Sequence, residues 1–198
     1  MSQAIAAFLT DIKQKCPLIT ETELAQFARG LRVQQLAARE IYRQADSVPP
    51  QLGFIVKGLV KGFYSDVGGD VNVIYFGAEG YPVGDYLAFA RQIPSRYCLQ
   101  ALEPTTVVNL SFEHFQKSLE QIPRLERYYR LLAELGFHNF RLRTEALQSI
   151  DAESRYLHFV EQNPNLFERI SLSDLSSYLG IQRQSLTRIR KKLGQKSS

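Results

Sequence analysis

The fold is decided by the stretch Ile170-Ser-Leu-Ser-Asp-Leu-Ser-Ser-Tyr-Leu-Gly180, which continues as Ile181-Gln-Arg-Gln-Ser-Leu-Thr-Arg-Ile-Arg-Lys-Lys-Leu193. Ser171 can cap the start of a first helix, and Asp174 follows at the position of a capping-box acid. Glycine is favoured where a tight turn needs a positive φ, so Gly180 marks the end of that helix. The pattern is typical of a helix-turn-helix.

Each predicted helix has one apolar face, and the second also has a basic face. The first carries an apolar stripe of Leu172, Leu175 and Leu179. The pattern of the second buries Ile181, Leu186, Ile189 and Leu193 and exposes Arg183, Gln184, Ser185, Arg188 and Lys192. Such helix pairs also occur on ordinary globular proteins, but residues 181–198 hold six Lys/Arg and no Asp/Glu. A solvated basic face usually includes acids, so this surface is a candidate for binding DNA.

Three side chains near the start of the second helix, at about residues 182–193, suit base recognition. Arg183, Gln184 and Arg188 lie within about two turns of the helix start. In the major groove Arg pairs bidentately with guanine, and Gln does so with adenine. We therefore predict that this helix reads DNA bases.

The composition agrees with a large domain joined to a small basic one. The 198 residues and 44% hydrophobic content allow a real buried core. The net charge of +4 is uneven, because residues 149–198 have eight Lys/Arg against five Asp/Glu, whereas residues 1–148 have sixteen against fifteen. DNA affinity that depends on this basic surplus should fall steeply with salt, since phosphate neutralisation releases counterions.

Targeting segments and thiol-based cofactors are not expected. The apolar opening at residues 4–9 is too short for a signal-peptide core, and no run of about 20 apolar residues could span a membrane. Cys16 and Cys98 alone support neither a disulfide framework nor a four-thiolate zinc or iron–sulfur site. We therefore expect a cytoplasmic protein without an iron–sulfur cluster.

Hydrophobic periodicity divides the first 110 residues into two parts. Residues 2–14 and 21–31 are helix-like, with Thr20 as N-cap of the second helix. From Val33 to Leu110 the pattern is that of β-strands, with Asp66-Val-Gly-Gly-Asp70 as a turn between two of them. Many short strands at regular spacing indicate a barrel or a roll.

Two helices are predicted after the β region. One runs from Ser111 to about Ile122, and a longer one from Pro123 to about Gln148. The longer helix has a 3-4 spaced seam of Leu125, Tyr128, Leu132, Leu135, Asn139, Leu142 and Ala146. This seam predicts pairing with a second copy of the helix, the alternative being that it packs only against its own chain. Asn139 either fixes the register of the pair or is a surface amide.

The expected domains are residues 1–122, a sensor roll with N-terminal helices; residues 123–148, a long dimerisation helix; and residues 149–198, a helix-turn-helix domain. The last begins with a helix that ends at Gln162 and has an apolar side of Tyr156, Leu157, Phe159 and Val160. The boundary near residue 149 is a hinge candidate.

This order of elements resembles the Crp/Fnr superfamily of bacterial transcription regulators over nearly the whole chain. The resemblance is carried by Phe54-Ile-Val-Lys-Gly58, by Gly80 and Gly84-Asp85 in the phosphate-cassette region, and by Ser177-Tyr-Leu-Gly-Ile-Gln-Arg-Gln-Ser-Leu-Thr-Arg-Ile-Arg190. It implies an α+β fold: an N-terminal antiparallel β-roll of the jelly-roll, cyclic-nucleotide-binding type with flanking helices, a long dimerisation helix and a C-terminal helix-turn-helix. It also implies a homodimer on a pseudo-palindromic double-stranded DNA site, with RNA polymerase as a candidate partner.

By position, the resemblance assigns base contacts to Arg183, Gln184 and Arg188, and phosphate contacts to Ser185, Thr187, Lys191 and Lys192. Many members have Glu, which accepts from cytosine, where this chain has Gln184, so the half-site should differ. After Leu193 only Gly-Gln-Lys-Ser-Ser remains, so we expect no full C-terminal wing.

The sensor half departs more from the resemblance. Cyclic-nucleotide-binding members have a Gly-Glu-Leu turn and an Arg-Ser pair, where this chain has Gly84-Asp85-Tyr86 and Ser95-Arg96-Tyr97. The reversed order points Arg96 to the opposite face of its strand, so we expect no cyclic nucleotide in the candidate pocket of Gly84, Asp85, Ser95, Arg96 and Tyr97. Tyr75, Tyr81, Tyr86 and Tyr97 either line a pocket for another small ligand or belong to the core.

Three function classes follow. The first is a DNA-binding regulator whose roll senses an unknown effector or a protein partner. The second is a cyclic-nucleotide- or small-ligand-binding module that acts mainly through protein contacts. The third, a cupin-like metalloenzyme, is rejected because residues 33–110 contain no histidine, and His114, His138 and His158 are too widely spaced for a metal site. We expect neither catalytic residues nor a metal.

Overall fold

The computed structural model describes residues 2–196, and the side chains of residues 2–193. The chain forms two compact units. The roll unit is the chain up to Gly62 together with Phe76–Gly136, and the head unit is Phe63–Tyr75 together with the chain from Phe137 onward. The boundaries predicted at residues 122 and 148 stay predictions.

Eight strands form two open four-stranded sheets, with orders β1-β8-β3-β6 and β2-β7-β4-β5. The strands are β1 Arg32–Leu36, β2 Ile41–Arg43, β3 Gln51–Lys57, β4 Val60–Ser65, β5 Val71–Gly77, β6 Pro82–Val83, β7 Cys98–Ala101 and β8 Thr105–Ser111. The pairs of β8 with β1 and with β3 are antiparallel, as are β2 with β7 and β3 with β6. The predicted antiparallel roll is confirmed, as a pair of sheets rather than a closed barrel.

The core of the roll unit forms where β3 meets the first helix. Phe54 pairs with Val108 of β8, and its ring stacks on Phe8 with ring centroids 4.5 Å apart. Gly58, between β3 and β4, has a φ of 104°, and a Cβ there would lie 2.4 Å from the hydroxyl oxygen of Thr105. Only glycine fits this tight turn without displacing β8.

Four helices flank the sheets: α1 Gln3–Lys15, α2 Glu21–Ala28, α3 Tyr86–Arg91 and α4 Phe112–Gln121. The Thr20 cap of α2 is confirmed as a full capping box with Glu23. The helix nevertheless ends three residues before the predicted Leu31, which is buried in the loop beyond it. Helix α3 was not predicted, because six residues are too few to show a helical period.

The long helix α5 spans Arg124–Ser149, within two residues of the prediction. Its start belongs to the core of the roll unit, where Leu125 and Tyr128 are 0% exposed. The Tyr128 hydroxyl donates to the Asp11 carboxylate at 2.8 Å. These two residues were predicted to contact a partner subunit, and that assignment is wrong because their own chain encloses them completely.

The head unit contains α6 Ala152–Gln162, α7 Pro164–Phe167, α8 Leu172–Leu179 and α9 Arg183–Lys196. The buried apolar residues from α6 to α9 include Tyr156, Phe159, Ile170, Leu175, Leu179, Ile181 and Leu186. The predicted helix ending at Gln162 is confirmed, but Leu157 is 46% exposed and lies off its buried side. The one-turn helix α7 was not predicted, because Asn163-Pro164-Asn165 suggested only a helix end.

Candidate nucleic-acid interface

Helices α8 and α9 form the predicted helix-turn-helix. The Ser171 hydroxyl accepts from the Asp174 amide at 3.0 Å and donates to its carboxylate at 2.8 Å, which fixes the start of α8. Gly180 ends α8 with a φ of 62° and a ψ of 38°. This left-handed conformation is the one that the sequence pattern required of a glycine.

The buried side of α9 orients its opposite side toward solvent. Leu186 is 0% exposed and Ile181 is buried, while Ile189 and Leu193 are half-buried. The three predicted base-contacting residues, Arg183, Gln184 and Arg188, are all exposed. Arg183 is the first residue of the helix, so the unsatisfied backbone amides of the first turn lie beside the same side chains.

The predicted phosphate-contacting residues differ in their surroundings. Ser185 is half-buried and Lys191 is exposed. The Thr187 hydroxyl donates to the Arg183 carbonyl at 2.9 Å, one turn back in the same helix. The Lys192 ammonium donates to both carboxylate oxygens of Glu153, at 2.7 and 3.0 Å. Lys192 is thus held by a carboxylate of α6 in this structure.

Arg155 is a positioning residue that the sequence analysis missed. Arg155 belongs to α6 and reaches the end of α8. Its Nε donates to the Leu179 carbonyl at 2.9 Å, and its Nη2 donates to the Gly180 carbonyl at 3.3 Å. Its Nη1 donates to the Ile150 carbonyl, just after the end of α5. A cation at a helix C-terminus stabilises the exposed carbonyls there, so Arg155 fixes the turn that precedes α9. An arginine four residues into a capped helix gives no sequence signal of this kind.

The start of α6 is fixed by Asp151. Its carboxylate accepts from the Glu153 and Ser154 amides at 3.0 and 3.1 Å and from the Ser154 hydroxyl at 2.7 Å. The hydrogen bonds from Ser154 hold the pKa of Asp151 below its usual range. The same capped turn therefore carries Glu153, the partner of Lys192.

The remaining seam residues of α5 are partly accessible. Leu132 is half-buried against the roll core, whereas Leu135, Asn139 and Leu142 are exposed. The last three recur about one turn apart on a single helix face. Their role as a dimer seam stays a prediction.

The candidate pocket of the roll is held by internal hydrogen bonds. Asp85 caps α3 by accepting from the Ala88 amide at 3.1 Å, and it also accepts from the Ser95 hydroxyl at 2.8 Å. Ser95 is buried, and its oxygen accepts from the Tyr97 amide at 3.2 Å. Arg96 is exposed, with its guanidinium 6.0 Å from the centre of the Tyr97 ring. The structure thus brings together Asp85, Ser95 and the adjoining Gly84, but leaves Arg96 on the surface.

Both thiols are buried, and His114 packs against its own chain, whereas His138 and His158 are exposed. Burial raises the pKa of both Cys16 and Cys98, which disfavours their thiolates. The Nε2 of His114 lies 2.7 Å from the Phe27 carbonyl, and its ring stacks on Phe27. Within the described residues, the acidic, Cys and His side chains form no cluster that could hold a metal ion.

A β-roll of two antiparallel sheets, a long helix and a C-terminal helix-turn-helix together define the fold of the Crp/Fnr regulators, and this chain has that fold. FixK2 from Bradyrhizobium japonicum matches with a TM-score of 0.75 and 17% identity, over 84% of this chain and 86% of that one. The c-di-GMP-responsive global regulator CLP from Xanthomonas campestris matches with a TM-score of 0.69 and 16% identity, over 90% and 93%. The catabolite activator protein of Thermus thermophilus matches with a TM-score of 0.56 and 15% identity, over 94% of this chain and 88% of that one.

The similarity is one of structure. No protein-family model and no curated protein sequence matches this chain. Among the helices in the described part of the chain, none combines the length and the apolar character needed to cross a membrane.

Proposed function

We propose that this protein is a cytoplasmic, sequence-specific DNA-binding transcription regulator, rather than an enzyme, and that it acts as a homodimer. One observation carries the proposal. The first six residues of α9 present Arg183, Gln184 and Arg188 to solvent, while the buried Leu186 fixes the opposite side of the helix. A reading helix needs this combination, because base contacts require donors at fixed positions.

Each of the three side chains has a distinct role in the proposed complex. Arg183 and Arg188 donate two hydrogen bonds each to guanine, and Gln184 pairs with the edge of adenine. Ser185, Thr187, Lys191 and Lys192 contact phosphates and set the position of the helix on the duplex. The predicted half-site therefore contains guanine and adenine at neighbouring positions.

Dimerisation through α5 is the second part of the proposal. Leu135, Asn139 and Leu142 would lie against their counterparts in a second copy. Two reading helices would then enter successive major grooves about 34 Å apart on a pseudo-palindromic site. RNA polymerase remains a candidate partner of the bound dimer.

The experiment that tests DNA binding is a selection from random double-stranded DNA, followed by titration of the selected duplex at several salt concentrations. Arg188→Ala should weaken selective binding by about 1–3 kcal/mol. Arg141→Ala is the matched control, because Arg141 is an exposed arginine that pairs with Glu145 on α5. Failure to select any sequence, or equal losses in both variants, would reject the reading helix.

Base specificity is tested with Gln184→Glu. A carboxylate accepts from cytosine but cannot donate to adenine N7, so the selected motif should change at one base pair of each half-site. An unchanged motif would show that residue 184 does not read a base.

We also propose that the roll does not bind cyclic nucleotides. A cyclic phosphate needs a cation and free donors, whereas Arg96 is exposed at the surface and the Ser95 hydroxyl already donates to the Asp85 carboxylate. Calorimetric titration with cyclic AMP and cyclic GMP should give no heat of binding, and a saturable signal with either would overturn the statement.

A further inference from the structure

The head unit includes the tip of the β4–β5 hairpin, residues 63–75, and this tip is a well-formed element. One carboxylate oxygen of Asp66 accepts from the Gly68 amide at 2.9 Å and from the Asp70 amide at 3.0 Å. The Asp66 amide in turn donates to the Asp70 carbonyl at 3.0 Å. Gly69 supplies the positive φ, 85°, that the turn needs. The tip is therefore a defined hairpin rather than a loose loop.

The outer edge of this hairpin is occupied by Ser177 of α8. Strand β5 ends the order β2-β7-β4-β5, so no strand within residues 2–196 pairs with the backbone groups on its outer side. The Ser177 hydroxyl accepts from the Val73 amide at 2.9 Å and donates to the Val71 carbonyl at 2.7 Å. One hydroxyl thus satisfies a donor and an acceptor of the strand edge.

Arg143 of α5 also connects strand β5 to helix α8. Its Nη2 donates to the Val73 carbonyl and to the Tyr178 carbonyl, each at 3.1 Å. Its guanidinium also lies 4.8 Å from the centre of the Tyr178 ring, within cation–π range. Burial raises the pKa of Tyr178, which keeps its ring neutral beside the arginine. We call Ser177 and Arg143 together the hairpin clasp.

We propose that the hairpin clasp positions the reading helix. Residues 63–75 then help to hold helix α9 in the orientation in which it contacts DNA. The inference rests on the proposed DNA-binding function. Ser177 and Tyr178 belong to the last turn of α8, which leads through Gly180 directly into α9. Fixing that turn from the hairpin and from α5 restricts the directions in which Arg183 can point. A reading helix that is held in place before binding loses less conformational entropy on DNA.

If the hairpin clasp positions the reading helix, its loss should reduce affinity for the selected duplex more than affinity for random duplex. A general loss of stability would reduce both. Ser177→Ala should lower affinity for the selected duplex by about threefold to tenfold, the equilibrium equivalent of one net hydrogen bond. Affinity for random duplex should stay unchanged, because phosphate attraction does not depend on helix orientation. Arg143→Met should act in the same direction. Ser177→Thr keeps the hydroxyl and should retain the parent's selectivity.

The matched control is Ser173→Ala, which removes an exposed hydroxyl from the same helix. Both variants should unfold cooperatively on heating, which would show that each is folded, with Ser177→Ala less stable by about 1 kcal/mol. A selectivity in Ser177→Ala equal to that of the parent would overturn the inference. So would equal losses on selected and random DNA, since that result points to a damaged fold.

Hydrogen exchange measures the clasp without DNA. The Val73 amide, bonded to the Ser177 hydroxyl, should exchange slowly in the parent and about tenfold faster in Ser177→Ala. Rapid exchange in the parent would show that the clasp does not form. If the parent selects no DNA sequence while Val73 is protected, the proposed function fails and the clasp itself stands.

Discussion

The two halves of helix α5 have the same apolar spacing and opposite surroundings. In the first half, Leu125, Tyr128 and Tyr129 are buried in the core of the roll unit. In the second half, the seam residues Leu135 and Leu142 are 38% and 42% exposed, and Phe140, outside the seam, is 66% exposed. A hydrophobic repeat therefore identifies a helix face that can be buried. It does not identify whether the same chain or a second copy buries that face.

Apolar packing buries the first half, and polar contacts also connect it to α1 and α2. Arg124 pairs with Glu23 of α2 at 2.6 Å, and the Arg127 side chain donates to the Lys15 carbonyl of α1 at 3.2 Å. The Tyr128 hydroxyl finds the Asp11 carboxylate inside the core. In the second half the equivalent contacts are made by Arg143, which bonds the hairpin and α8. Each half is thus part of a different compact unit.

The largest expected effect comes from truncating a buried side chain of the first half. Tyr128→Ala should lower the free energy of unfolding by about 3–5 kcal/mol, because it leaves a large cavity. Phe140→Ala, the matched change in the second half, should alter the stability of the monomer by about 0.5 kcal/mol or less. Urea unfolding of both variants at low protein concentration measures the difference. Similar losses in the two would contradict the contrast between the halves.

The dimer seam can be tested on the second half. Leu142→Glu should raise the dimer dissociation constant by about tenfold to a hundredfold, because a carboxylate replaces an apolar side chain at the seam. Ala133→Glu, on the opposite face of the helix, is the control. Sedimentation equilibrium measures both. A dimer disrupted by Ala133→Glu and not by Leu142→Glu would place the interface on the other face.

The first half also carries two buried tyrosines that should make stability depend on alkaline pH. Burial raises the pKa of Tyr128 and of Tyr129, and the Asp11 carboxylate adds to the shift at Tyr128. Both tyrosines stay protonated when those of the unfolded chain ionise at about pH 10, so the unfolded state then binds fewer protons. Stability is therefore retained below about pH 10 and falls above it by about 1.4 kcal/mol per pH unit for each tyrosine.

Urea unfolding between about pH 8 and about pH 11 checks this pH dependence. Tyr128→Phe should reduce the slope above about pH 10, because one titrating group is removed. A slope equal to that of the parent would show that Tyr128 ionises normally in the folded chain.

The smallest effect is expected at Gly136, where the two halves meet. A Cβ at this helical glycine would meet nothing within 4 Å. Gly136→Ala should therefore stabilise the protein by about 0.5–1 kcal/mol through the higher helix propensity of alanine. Thermal unfolding measures it, and a loss of stability would indicate that α5 bends at this residue in solution.

The sequence predicted best what depends on neighbouring residues. The caps at Thr20 and Ser171 and the left-handed Gly180 are confirmed because their signals lie within about four residues of the structure they define. The exposure of Arg183 and Arg188 followed from helical periodicity alone.

Contacts between distant residues were not predictable in the same way. The enclosure of Tyr128 depends on Asp11, 117 residues away, and the bond between Ser177 and Val73 joins residues 104 apart. A single sequence gives no information about which polar side chains meet over such separations. The candidate reading residues could therefore be predicted, and the residues that hold them in place could not.

The ion pair between Lys192 and Glu153 has a thermodynamic consequence for the proposed regulator. A lysine that is already matched to a carboxylate must exchange one anion for another when it reaches a phosphate. The Glu153 carboxylate would then lie near the phosphates, and its repulsion would offset part of the attraction that Lys192 gains. Lys192 would thus help to fix the position of the helix on the phosphates, while contributing little to the salt dependence of binding. In the proposed complex, Glu153 would thus act as an internal counterion to Lys192 and weaken the attraction to random DNA.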